Sequence, residues 1–137
     1  MTARQARTRL LELFRRPPEP FPLDEAALLL AVAEFPDLDL ALYLRRIDQL
    51  AAQVARYAPA GDEPVARIAA LRRGLFEDGG FHGNREAFYD PRNSYLNLVL
   101  DRRRGIPITL AILAISVARR LGWPLYGVEF PGHYLCG

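Results

Sequence analysis

Two histidines, His82 and His133, and one cysteine, Cys136, carry the most latent chemistry in this 137-residue chain. Cys136 lies three residues past His133 on a segment of strand character. Side chains alternate across a strand with period two, so thiol and imidazole point to opposite faces and do not form a nucleophile–base pair. Cys136 reads as a small buried apolar residue. His82 stands near Asn84, Glu86 and Asp90, but the spacing is irregular, the segment is loop-like and most donors are oxygens, which is not how zinc or other transition-metal sites are built. No metal site and no cofactor is therefore assigned. Thr109 opens an apolar helix, where a hydroxyl ordinarily makes a cap or first-turn hydrogen bond. Arg102-Arg103-Arg104 closes another helix, where positive charge complements the dipole. Without an aromatic-rich basic face beside it, that run is a weak signal for anions or nucleic acid.

The elements that must position these residues belong to a globular chain. Half of the residues are hydrophobic and a quarter are charged, the composition of a packed domain and not of a disordered tail. The length suits one domain able to bury a core. All 18 basic residues are Arg and the net charge is only +2, so coding bias explains the arginines better than a phosphate-binding face does. The longest apolar run, Ile106 to Val117, is too short to span a bilayer and contains Thr109 and Ser116. Met1 to Arg16 has no apolar stretch of the kind a secretory leader needs. A single cysteine excludes an internal disulfide framework and points to a reducing, cytoplasmic setting.

Periodicity predicts four helices in residues 1–78. The first, Ala3 to Arg16, carries Ala6, Leu10, Leu11 and Phe14 and stops before Pro17-Pro18. The second runs from Asp24-Glu25 to about Phe35. The third bears one stripe of Leu40, Tyr43, Leu44, Ile47, Leu50, Ala51 and Val54. The fourth starts near Asp62-Glu63, carries Val65, Ile68, Leu71, Leu75 and Phe76, and ends at Asp78-Gly79-Gly80. The character changes at Phe81. A loop over 81–90 leads to a helix over about 91–101, with Asn93, Ser94 and Asn97 closing the turn before it. A tight turn at Arg104 to Pro107 precedes a helix over 108–121 that is apolar nearly all round, and such a helix belongs at the centre of a domain. Gly122 follows as its left-handed cap. Leu125 to Phe130 and Tyr134 onward read as strands separated by Pro131-Gly132, with Trp123 and Tyr126 as packing residues at the core's edge.

Four ordered blocks carry a resemblance. They are Asn93-Ser94-Tyr95-Leu96-Asn97, Arg103-Arg104-Gly105-Ile106-Pro107-Ile108-Thr109-Leu110, Ala118-Arg119-Arg120-Leu121-Gly122-Trp123-Pro124, and Phe130-Pro131-Gly132-His133-Tyr134-Leu135. Together they resemble the SirB-type transglutaminase-like family of bacteria over roughly residues 79–137, with the helical 1–78 fitting that family's lead-in more loosely. The resemblance implies an α+β, predominantly helical fold: a helical N-terminal layer packed on an incomplete papain-like core, with a buried central helix and a small antiparallel sheet, as one domain over 1–137. It also implies a catalytic arrangement. In such cores a thiolate at the start of the central helix is activated by the dipole, a His on a neighbouring strand serves as its base, and an acid on the next strand orients that His.

His133 matches the family His. The helix start offers Pro107, Ile108 and Thr109 and no cysteine, and the acid's position would fall past Gly137. The reading that follows is a non-catalytic interaction or regulatory module on a degenerate core, in which His133 is structural. Two alternatives stay open. One is a hydrolase or acyltransferase with Thr109 as hydroxyl nucleophile and His133 as base; the other is nucleic-acid binding through arginine. The chain is expected to be a shortened form of a longer relative. Its last strand would present an unpaired edge, so the expected partner is a protein or a second copy of the chain, with no membrane and nucleic acid disfavoured.

Overall fold

The computed structural model describes residues 1–84 and 90–123. Six α-helices run through them: α1 (Ala3–Arg15), α2 (Leu23–Val32), α3 (Leu40–Ala55), α4 (Pro64–Leu71), α5 (Leu96–Arg102) and α6 (Pro107–Arg120). Local chemistry sets their starts. Thr2 Oγ1 accepts from the Gln5 N–H and the Thr2 N–H donates to Gln5 Oε1 in return, a complete capping box for α1. Asp39 accepts from the Leu42 N–H at the head of α3. Pro64 and Pro107 occupy first-turn positions, where the missing N–H costs nothing.

The helical stripes are buried with two corrections. On α1 the buried face is Ala6 and Leu13 with Leu10 beside them, whereas Leu11 and Phe14 are exposed. Positions 6, 10 and 13 share one side of a helix, and Phe14 lies off it, stacked on Phe21 at 5.5 Å. On α4 the expected core residue Val65 is 66% exposed. The stripe of α3 is buried at Ile47, Leu50, Ala51 and Val54 as its periodicity predicts.

Two cores result. Helices α3, α4, α5 and α6 share the larger one, together with Phe81 and Trp123. The smaller joins α1 and α2 with Leu38, and Leu40 and Tyr43 pack against both. Thus α3 and α4 of the N-terminal helical layer pack directly on the central helix. Helix α6 is the centre, with Leu113, Ala114, Val117 and Ala118 fully buried.

The fourth helix does not simply stop. It passes at Arg72 into a π-helical segment, Arg72–Asp78, closed by the Gly79 N–H on the Gly74 carbonyl. A Cβ at Gly74 would lie 2.5 Å from Val54 Cγ2, so glycine is what lets this turn reach α3. The helix expected over 91–101 is likewise divided: a 3₁₀ turn, Pro91–Ser94, is followed by extended Tyr95 and then α5.

The sheet among the described residues is one parallel pair, β1 (His82–Gly83) with β2 (Arg104–Gly105), in the register His82 to Arg104. Both segments read as loop or turn in the sequence, because two residues carry no alternation to detect. The antiparallel strands expected after Trp123 lie outside the described residues. Gly122 has φ +72°, the left-handed cap expected of it. Gly105 is needed for closeness instead: a Cβ there would meet Thr109 Oγ1 at 2.8 Å.

Candidate functional site at the start of the central helix

The start of α6 is built by β2, which delivers Ile106 as N-cap and Pro107 as the first helical residue. Pro107 and Ile108 face solvent, and Ile108 is 63% exposed. Thr109 turns inward and is buried. Its Oγ1 accepts the Ile106 N–H at 3.1 Å and lies 3.0 Å from the Asn93 carbonyl and 3.1 Å from the Ile106 carbonyl. A hydroxyl has one proton, and here both nearby acceptors are backbone carbonyls. Thr109 thereby ties the 3₁₀ turn to the helix.

Asn93, also buried, extends the tie through its side chain. Asn84 Nδ2 donates to Asn93 Oδ1 at 3.0 Å, and the Asn84 N–H donates to the Gly105 carbonyl. The end of β1, the 3₁₀ turn and the β2–α6 junction meet in one buried polar network. Such a network is stable only when its members find partners, since an unmade hydrogen bond here costs the full desolvation of the group. Asp90 opens the 3₁₀ turn by accepting the Arg92 N–H. The Arg92 guanidinium grips the same carboxylate through two nitrogens and holds its pKa down to about 2.

Of the sequence-derived site residues, Thr109 is therefore at the helix start but committed to the backbone. His133 and Cys136 lie outside the described residues, as does Glu86 of the weak metal cluster. His82 is exposed, with Nδ1 3.0 Å from the Gly83 carbonyl. No group of three or more His, Cys, Asp or Glu side chains able to hold a metal occurs among the described residues. No helix there is long and apolar enough to cross a membrane. Sequence reasoning weighed Asn84 only as a neighbour of His82 in a weak metal cluster and treated Asn93 as a turn closer. With Gly83 and Arg85 beside the one and Arg92 and Ser94 beside the other, no local apolar pattern marked either amide as buried.

The helix start packs Thr109 against a glycine-dependent strand and opens a central apolar helix. Residues 41–137 match the transglutaminase-like superfamily. The chain belongs to that superfamily. The match begins within the first turn of α3. Among relatives of this transglutaminase-like chain, a UPF0162 protein of Xylella fastidiosa is 49% identical over 121 residues, covering 85% of the chain and 42% of the relative. A UPF0162 protein of Pseudomonas aeruginosa is 39% identical over 117 residues, 85% of the chain and 43% of the relative. Human F-box only protein 21 is 44% identical over 68 residues, half of the chain but 11% of that protein. The chain thus spans less than half the length of the bacterial relatives it matches. No solved structure matches it.

Proposed function

We propose that this chain is a non-catalytic interaction module built on a SirB-type transglutaminase-like core. The observation that carries the reading is the start of α6. Where the family's chemistry requires a thiolate, this chain has Pro107 and Ile108 at the surface and a Thr109 hydroxyl engaged with the Ile106 N–H and two backbone carbonyls. A nucleophile must present a lone pair to substrate and its proton to a base. Thr109 presents neither. The similarity to a 68-residue stretch of F-box only protein 21 supports a portable module, because that stretch is 11% of a much larger protein. In this reading His133 is a structural residue, the module works in the reducing cytoplasm, and its partner is a protein or a second copy meeting the edge of the last strand.

The test is enzymatic. The purified chain is given fluorogenic peptide amides and a glutamine–amine acyl-transfer pair, alongside Thr109→Ala and His133→Ala. Rates equal to buffer for all three proteins are expected. A rate that both substitutions abolish, with circular dichroism unchanged, would establish the hydroxyl-nucleophile enzyme instead. Association is read separately by sedimentation over a concentration series, where a clean monomer at high micromolar concentration removes the second copy as the strand-edge partner.

A further inference from the structure

Away from the α6 start, a cleft of about 320 Å³ opens between α3, α5 and the segment after the π-helical turn. Its walls are Arg46 and Gln49 of α3, Asp101 of α5, and Arg103; Phe81 and Leu50 form its floor. That volume is at the small end of ligand sites, enough for one side chain or a small acid.

One departure from regular backbone lines it, and a second touches that lining residue. Arg103 caps α5 with φ 59° and ψ 32°, in the left-handed region that glycine or asparagine would occupy at least cost. The π-helical segment is capped by Gly79, whose carbonyl accepts from Arg103 Nη1. Irregular backbone of both kinds gathers at functional sites. The left-handed conformation needs no arginine: it serves the Arg103 N–H bond to Val99 and the Arg103 carbonyl's bond from the His82 N–H, both backbone groups that glycine also has. What arginine adds is a guanidinium held 5.0 Å over the buried Phe81 ring, inside the cleft.

The charges then define the ligand. Arg46 is paired with Asp101, whose other oxygen accepts from the Tyr43 hydroxyl at 2.9 Å. Arg103 has a neutral carbonyl as its hydrogen-bond partner and meets no carboxylate among the described residues. Two guanidiniums and one carboxylate leave one net positive charge, with the planar donor fork of Arg103 and the amide of Gln49 around it. Asp101 opposes a multiply charged group. We propose that this cleft binds a single carboxylate, from a small organic acid or from an acidic side chain of a protein partner, with Arg103 as the principal contact. The site does not depend on whether the α6 start is catalytically silent.

Nuclear magnetic resonance titration of the whole chain tests this with four probes: N-acetylglutamate, an end-blocked peptide with one glutamate, N-acetylglutamine and inorganic phosphate. Saturable shifts of the Gln49, Asp101 and Arg103 amides are expected with the two carboxylate probes and not with N-acetylglutamine. Tighter binding of the peptide identifies a protein source, and equal binding a small acid. Arg103→Gly relaxes the left-handed backbone, so it should weaken binding at least about tenfold with little loss of thermal stability. Should that variant unfold, Gln49→Glu places an opposing charge in the cleft from an exposed helix position and must weaken binding similarly. The proposal is overturned if neither carboxylate probe binds, if phosphate binds more tightly than both, or if affinity survives Gln49→Glu.

Discussion

The Thr109 hydroxyl holds a strand end, a 3₁₀ turn and a helix start in one geometry. Replacing it with valine keeps the shape and removes the hydroxyl's bond from the Ile106 N–H and its contact with the Asn93 carbonyl. Because buried partners left unsatisfied bear the full desolvation penalty, Thr109→Val should cost about 1–3 kcal/mol in urea unfolding. Thr109→Ser, which keeps the oxygen, should cost less. A loss no greater for valine than for serine would show that the network is dispensable. The role of a cap at Thr109 was legible from its place before an apolar helix. Its bond to Asn93, 16 residues earlier, was not, because no periodicity links a turn carbonyl to a distant hydroxyl.

Among the elements, the glycines separate two reasons for lacking a side chain. At Gly74, within the π-helical segment, φ lies outside the left-handed region, but a Cβ would sit 2.5 Å from Val54 Cγ2 and 2.9 Å from Val54 Cα. The second contact is to backbone, so rotamer change cannot relieve it. Gly74→Ala should therefore force α3 and the π-helical segment apart and cost about 1–3 kcal/mol. At Gly122 a Cβ meets nothing within 4 Å, and only φ +72° resists substitution. Gly122→Ala should cost about 1 kcal/mol from conformation alone. Thermal unfolding of the two variants distinguishes these causes: Val54→Ala should recover part of the Gly74→Ala loss and none of the Gly122→Ala loss. Gly122 announced itself by following the last periodic residue of a helix. Gly74 gave no such signal, since its neighbour is set by packing.

For the molecule as a whole, α6 is the centre of the larger core and is tied to α2 by an ion pair. Leu113 is fully buried in the larger core. At the other end of the helix, Arg120 bridges Asp24 of α2 and Asp48 of α3, and Arg119 donates to the Phe21 carbonyl. Helix α6 thus joins the smaller, α1–α2 core to the larger one through polar contacts at its C-terminal turn. Leu113→Ala should cost about 2–5 kcal/mol, the range for deleting a leucine from a core that cannot collapse around the gap. Urea denaturation checks it, and a cost below about 1 kcal/mol would mean that the centre of the fold lies elsewhere.

What the sequence determined by itself is what repeats or acts over a few residues. The helical periods, the caps at Thr2 and Asp39, the proline starts, the left-handed Gly122 and the central place of an all-round apolar α6 follow from interactions within one or two turns of chain. The ordered blocks around Asn93, Gly105, Trp123 and His133 added the superfamily. Tertiary structure decided the rest. It divided the fourth helix into α and π segments, because α3 lies against Gly74. It paired His82–Gly83 with Arg104–Gly105, a parallel bridge that pays nothing locally and forms only once α5 has turned the chain back. It brought Arg46, Asp101 and Arg103 around one cleft, though α3 and α5 are far apart in sequence. Each of these contacts joins residues with no shared pattern, so its energy appears only when the cores have closed.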